Sequence, residues 1–600
     1  MAWWAAATRL PDRCATAAAP ATRVWEPARR RAVADGLAAI DHPIAAATAA
    51  RVVALLDARV DAWRAARTQT CRATWRDGTQ SEARLDLRMG CLDQRLAELD
   101  ALVGALTDAP DRDAVEHAVD AVAQLPPLTR CDDVEALADA YPRPADPTRR
   151  AALDDLERRV RDAEAAIDLG QMARGRDLVT PLVDEVRRAD FPPLLARVLH
   201  DQVLVLRLDG ATDQAEAALR EAIQASATAH DDARSLDLWN AMLVVLSDAG
   251  REDEALATFD TVRAALARAG DHPLDRARVL TNEALVLERR AAYADAVARL
   301  EEATALQRDA NAPAGDLALT LMSLGRMRSA TGDLDGGAAA LTEALALDEA
   351  TLGADHPRTI AVLGALAGNL RTRGDLAGAR DMLADAVARS EAANGADSEI
   401  TAEVRGRLGG VRFELGDLAG GVAAYERATA AYATSHNAVG RHAIWHNYCT
   451  YMLDLAEPAD SEQVCRHALD AAHALGEHHP YIALETVQLG DVLMAQDRAA
   501  EAEPQYRAAL AEVEATLGPD HIFAVLAHNG LGLAALALGR PAETVAEIDR
   551  VLATLERTGS PDPRFIPQAR FTGAQARWAL GAKARARREA IDAAAALRDV

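Results

Sequence analysis

His442, His446 and Cys449 stand four and three residues apart, a spacing that puts two imidazoles and a thiol on one face of a helix and could begin a zinc site. Cys449 also falls where a small side chain is wanted for packing, and no second pair with ligand spacing follows it. The expectation is therefore a core cysteine and no metal. A second set of histidines raises a different chemistry, because in "LGADHPRT" (352–359) a His beside an Asp could be half of a proton relay. The context recurs: "DHP" at 271–273 and 355–357, "HHP" at 478–480 and "DHI" at 520–522 place His272, His356, His479 and His521 at separations of 84, 123 and 42 residues. Near-multiples of one period mark punctuation, with a proline opening a helix and the polar residue before it capping exposed amides.

The remaining catalytic signatures are missing. Lys583 is the one lysine, so no P-loop, kinase strand lysine or Schiff-base lysine stands at a credible place. No Gly-x-Ser-x-Gly, His-Glu-x-x-His or dinucleotide fingerprint occurs, and no cofactor is expected. A net charge of -26 disfavours nucleic acid and anionic lipid as partners. No run of about 18 apolar residues exists, so no direct membrane insertion is expected. The opening "MAWWAAATRL" lacks the basic region and long apolar core of a signal peptide, and the chain as written reads as soluble and cytoplasmic.

The elements that would position these residues come from a repeat. A turn, usually Gly-Asp or Gly-Arg, returns at Gly170, Gly210, Gly250, Ala291, Gly332, Gly374, Gly416, Ala456, Asp497, Gly539 and Gly581, with gaps of 40, 40, 41, 41, 42, 42, 40, 41, 42 and 42. Small residues recur seven before the turn (Ala284, Gly325, Ala367, Gly409, Cys449, Gly490, Gly532) and five after it (Ala296, Gly337, Ala379, Gly421, Ala502). Such offsets let two antiparallel helices approach closely around a tight turn, so each unit is a helical hairpin. "GDLAGARDMLADAVA" (374–388) and "DRAAEAEPQYRAALA" (497–511) resemble tetratricopeptide repeats, and a period near 42 is similar to the longer kinesin light chain subtype. The resemblance implies an all-α chain in which about eleven hairpins over 153–600 stack into a right-handed α-solenoid.

Ahead of the repeats the pattern changes. Leu85, Met89, Leu92, Leu96, Leu99, Val103 and Leu106 form one narrow apolar seam, and Val53, Leu56, Val60 and Trp63 another. With a third helix around 112–124 they predict a helical connector domain over 1–140, joined to the array by a Pro-rich linker at 141–152. "CRATWRDGTQSEARLDLRMGCLDQRLAELDALV" (71–103), "LPPLTRCDDVEAL" (125–137) and "VWEPARR" (24–30) resemble the region between kinase and repeats in bacterial Ser/Thr protein kinases that carry a C-terminal tetratricopeptide array. The kinase motifs themselves are absent from this chain, so no catalytic residue is carried over and the chain is expected not to be an enzyme.

Cys449 and Cys465 read as packed core residues. Cys14, Cys71, Cys91 and Cys131 form an even set that suits two disulfides, in any of three pairings, if the connector lies outside the cytoplasm as in the kinase family's architecture. Reduced, buried thiols are the expectation for a cytosolic chain. The working surface is the concave face of the array, lined by first helices and suited to a protein or an extended peptide. Counting from the small position of each unit, the candidate inward residues are Asn282, Arg289, Ser323, Arg326, Arg371, Arg407, His446, Asn447, Gln488, Asp491 and Asn529. The four arginines fit an acidic peptide held by guanidinium contacts, against the blander reading of arginines paired with neighbouring glutamates. The sequence thus points to a non-enzymatic binding scaffold, with the sensor or docking half of a Ser/Thr kinase whose catalytic domain lies outside this chain as the alternative.

Overall fold

The computed structural model describes residues 13–598 apart from 139–140, 434, 436, 456–457, 477 and 560–563. Ala456, one of the expected turns, and the opening "MAWWAAATRL" lie outside the described residues. Every regular element within them is helical, and the repeats make an all-α solenoid.

Local chemistry explains why each hairpin folds where it does. Gly374 and Gly416 adopt left-handed conformations (φ +84° and +81°) that stop the first helix. Their amides donate to Arg371 and Phe413, while the next amides, of Asp375 and Asp417, donate to Leu370 and Arg412, which is the Schellman pattern of bonds at a helix end. The same Asp then starts the second helix, its carboxylate accepting from Gly378 N (2.9 Å) or Gly420 N (3.0 Å). One Gly-Asp pair therefore ends one helix and caps the next. The small residues do what their offsets predict: a β-carbon on Gly325 would stand 2.9 Å from the Gly337 carbonyl oxygen, and one on Gly337 would stand 2.8 Å from that of Gly325. Main chain meets main chain there.

Among the described residues eleven helix pairs follow one another, from Pro147–Asp168 with Met172–Ala189 to Phe565–Ala579 with Lys583–Ala596. The first starts inside the expected linker, because Pro147 supplies a first helical residue with no N–H to satisfy and Asp146 accepts from Arg149 N at 2.8 Å. Through most of the array the first helices of neighbouring units touch directly, whereas their second helices barely meet. The stack must curve toward the first helices, which line its inner side.

Ahead of the array, helices Pro27–Ala38, Ala45–Trp75, Glu82–Asp108 and Arg112–Ala123 bury the two apolar seams, with Trp63 donating to the Leu92 carbonyl at 2.7 Å. This bundle rests on the loops that join successive units: Arg112 donates to Asn394 O at 3.0 Å, His356 Nε2 to Glu116 O at 3.0 Å, and Arg358 reaches Asp120 at 3.1 Å. The opposite edge is braced by the chain itself. The loop before Pro480 lies against the turns at Gly210 and Gly250, and His479 Nε2 donates to Asp248 O at 3.2 Å.

The thiols differ from expectation. Cys14 pairs with Cys71 and Cys91 with Cys131, so the connector holds two disulfides rather than reduced thiols, and Cys449 with Cys465 makes a third. The last pair is buried, as a core pair should be, but the close approach of hairpin helices brings the two Cα atoms to 4.8 Å, inside the range a disulfide bridges.

Two outcomes follow from this architecture. Ala291 occupies the turn position with φ +56°, so Ala291→Gly should raise stability in urea unfolding by about 0.5–1 kcal/mol, and Gly374→Ala should lower it by a similar amount. Thiol titration of denatured, unreduced protein should find none of the six cysteines free. Reduction should then destabilise the bundle, since cross-links closing separations of 57 and 40 residues are worth about 4 kcal/mol each in the chain-entropy view; a full thiol count would remove them.

Candidate functional site

The inner face is built by residues one repeat apart on adjacent first helices, and a polar bond joins each neighbouring pair from the third unit to the ninth. Asn282 Nδ2 donates to Asn240 Oδ1 (2.8 Å) and Arg289 to Ser247 O (2.9 Å). Arg326 pairs with Glu288, Asn369 donates to Ser329 (2.8 Å), and Arg371 to Glu414 (2.7 Å), which also accepts from Tyr451 Oη (3.1 Å). His446 meets Glu485, and Gln488 donates to Thr450 Oγ1 (3.0 Å).

Each nominated arginine already has an acid. Arg289 faces Asp248, Arg326 Glu288 and Arg371 Glu414, all on neighbouring first helices, while Arg407 pairs with Glu403 one turn back. Their side chains keep 40–49% of their surface in solvent, so the pairs are exposed and individually worth little, about 0–1 kcal/mol. Asn447 is exposed and Asn529 half-buried on the same face, whereas Ser323 is buried. Asp491 turns into the hairpin and accepts from Tyr506 Oη at 2.6 Å; burial pushes its carboxyl up to about 6 against that hydrogen bond.

The most convergent group was only half visible in the sequence. His442 Nε2 and His446 Nδ1 both stand 2.8 Å from one oxygen of Glu485, Oε1, and among the described residues this is the one set of three potential ligand side chains whose donor atoms come together. Cys449, the third member suggested by spacing, is tied to Cys465 and takes no part. Glu485 replaces it from the next first helix, 43 and 39 residues beyond the histidines. That separation is one period, which is the signal that could have found it. Burial pushes the Glu485 carboxyl up, yet the two imidazole hydrogen bonds outweigh it and hold the group below the usual carboxylate range.

A second, half-buried group lies at the start of the array, where Arg197 grips Glu164 (Nε to Oε1 2.9 Å). Burial pushes His200 down to about 4. The repeated histidines are punctuation of a particular kind. In His356, His479 and His521, Nδ1 accepts from the amide two residues on (3.2–3.3 Å), and in the first two Nε2 donates across to another part of the spiral. His272 makes no side-chain cap.

The geometry defines a repeat protein whose inner surface is a ladder of polar bonds. A family profile described as "Tetratricopeptide repeat" matches residues 316–392 and 483–557, so those segments carry tetratricopeptide repeats. Among solved structures, it is similar to BtubC (BKLC) from P. vanneervenii at 18% identity and a TM-score of 0.32, over 39% of this chain and 92% of that one. It is also similar to the apo form of the quorum sensor NprR from B. thuringiensis, at 13% identity and a TM-score of 0.38, over 60% of this chain and 99% of that one. No match is found among curated protein sequences.

The capping histidines give the stability of the fold a pH dependence. Burial pushes His356, His479 and His521 below the ordinary value of 6.5, and a ring that accepts through Nδ1 and donates through Nε2 must be neutral. Their contribution is thus complete above 6.5 and lost as pH falls from there toward the lower folded values. Asn at 356 retains a capping oxygen and cannot titrate. Between pH about 7.5 and 5.5 the His356→Asn protein should lose less melting temperature than the unaltered one; equal losses would show that this ring carries none of the dependence.

Proposed function

We propose that the protein is a non-enzymatic scaffold that captures a protein or an extended peptide along the inner face of its first helices. The observation that carries this reading is the unbroken series of polar bonds from the third unit to the ninth, which ties adjacent first helices together through partly buried amides, such as Asn282 and Gln488, fully buried ones, such as Asn369, and half-exposed guanidinium groups. An amide side chain offers a donor and an acceptor together, as a peptide main chain does, so Asn282, Asn447, Gln488 and Asn529 suit extended backbone. Arg289, Arg326, Arg371 and Arg407 can exchange their own carboxylates for those of an acidic partner, since the exposed pairs they now make are weak. Tetratricopeptide repeats generally serve protein interaction, which agrees with this reading.

A second reading takes residues 1–140 as the connector of a Ser/Thr kinase and the array as its sensing or docking half. The disulfides favour it, because such bonds persist in oxidising compartments, which would put this region outside the cytoplasm. No helix among the described residues is long and apolar enough to cross a membrane. In-frame kinase motifs in the DNA upstream of Met1 would support this second reading, and a stop codon there would count against it.

The scaffold reading predicts that Arg326→Glu combined with Arg371→Glu weakens capture of the natural partner by the full chain at least about tenfold, as two charge-assisted contacts of about 1 kcal/mol or more each require. Far-UV circular dichroism should be unchanged. Undiminished capture by a folded double variant would remove these arginines from the binding face.

A further inference from the structure

In a chain whose basic residues are almost all arginine, most buried or half-buried carboxylates meet a guanidinium: Glu164 has Arg197 and Asp348 has Arg358. Glu485 does not. Its side chain is wholly buried, and the partners of its carboxylate are two imidazoles on the neighbouring first helix. Both use the same oxygen, and Oε2, equally buried, has no partner. As a hydrogen-bonded cluster this is poorly satisfied, for a buried acceptor left unpaired has lost its water and gained nothing in return, the more so when charged. As a set of metal ligands it is nearly complete.

We propose that His442, His446 and Glu485 form a binding site for a zinc-like divalent transition metal, bridging the first helices Ala438–Leu455 and Pro480–Ala495. Two nitrogens and a carboxylate suit zinc or its neighbours rather than magnesium or calcium, which prefer all-oxygen sites. The helix supplies the histidines one turn apart, and the repeat supplies the glutamate at the same level on the next helix. The rings are held in place: His442 stacks on Tyr481 with centroids 4.7 Å apart and planes 11° from parallel, and Tyr481 is flanked by His479 at 4.9 Å. Each ring donates to Oε1 through the nitrogen that would ligate, so metal entry needs His442 protonated at Nδ1 and His446 at Nε2, while the freed carboxylate turns to the ion and brings the unpartnered Oε2 within its reach.

The remaining coordination is open on one side. His442 is 5% exposed, but His446 keeps 28% of its surface in solvent on the inner face. Cys449 and Cys465 are spent on their disulfide, and His479 uses both ring nitrogens elsewhere, so water or an incoming carboxylate or imidazole takes the next position. A bound dication would turn this locally anionic spot into a cationic one. The site stands whether or not the inner face captures a peptide.

The test is titration of the full, chelator-treated chain with Co2+, read by visible absorption, and with Zn2+, read by calorimetry. One saturable site is expected, with Glu485→Gln and His446→Ala each weakening it by more than the ~10–100-fold that supporting groups alone are worth. His478→Ala, which removes an exposed histidine paired with Glu512, should leave it unchanged. Absence of saturable binding to the unaltered chain, or equal affinity in folded His446→Ala, would establish the cluster as a hydrogen-bonded clamp and overturn the proposal. Should Glu485→Gln not fold, the half-exposed His446 position still decides.

Discussion

The structure rests on one geometric demand: about every 41 residues the chain must reverse within a few residues and bring two helices into main-chain contact. Gly325 and Gly337 meet that demand reciprocally, each leaving room for the other's carbonyl. Gly409 and Gly421 meet it differently, the first making room for the ring of Tyr425 and the second for that of Phe413. Close hairpins leave long, slender units, and slender units pack through their first helices and splay at their second. The inner face, and every polar bond that crosses it, is a consequence of that asymmetry.

The same demand explains what could be read from the sequence. A left-handed turn admits few residue types, and a close approach admits only small ones, so both leave a periodic trace that survives without any knowledge of contacts. Asp375 and Asp417 add capping to the signal, whereas counting from it brought in Ser323, which is buried, and Asp491, which turns into the hairpin. The arginines' own acids were harder to place, because side chains as long as these can reach along a helix, as Arg407 does, or across to the next, as Arg371 does. Glu485 was hidden for a related reason. One glutamate among many acquires meaning only when the repeat lays it beside two histidines.

What left no periodic trace is the return of the spiral upon itself. His356 reaches Glu116 across 240 residues and His479 reaches Asp248 across 231, and such pairs depend on the accumulated rotation of several units. The disulfides belong here too. Their existence in the connector was compatible with the even number of cysteines, but the pairing of Cys14 with Cys71 and of Cys91 with Cys131 is fixed by how the bundle helices lie against one another.

A free solenoid gains stability unit by unit, each hairpin supported by its neighbours alone, and can bend or fray where a neighbour is weak. This one is braced along both edges. The bundle sits on the chain around 352–358 and at Asn394, and the loop entering the ninth unit sits on the turn that closes the first helix of the third. Contacts between units six apart tie distant hairpins into one cooperative body, so opening the groove at any point strains bonds elsewhere. On the scaffold reading proposed above, a partner of the inner face would meet a preformed surface, and the ordering cost that a flexible array incurs on binding would already be met in folding.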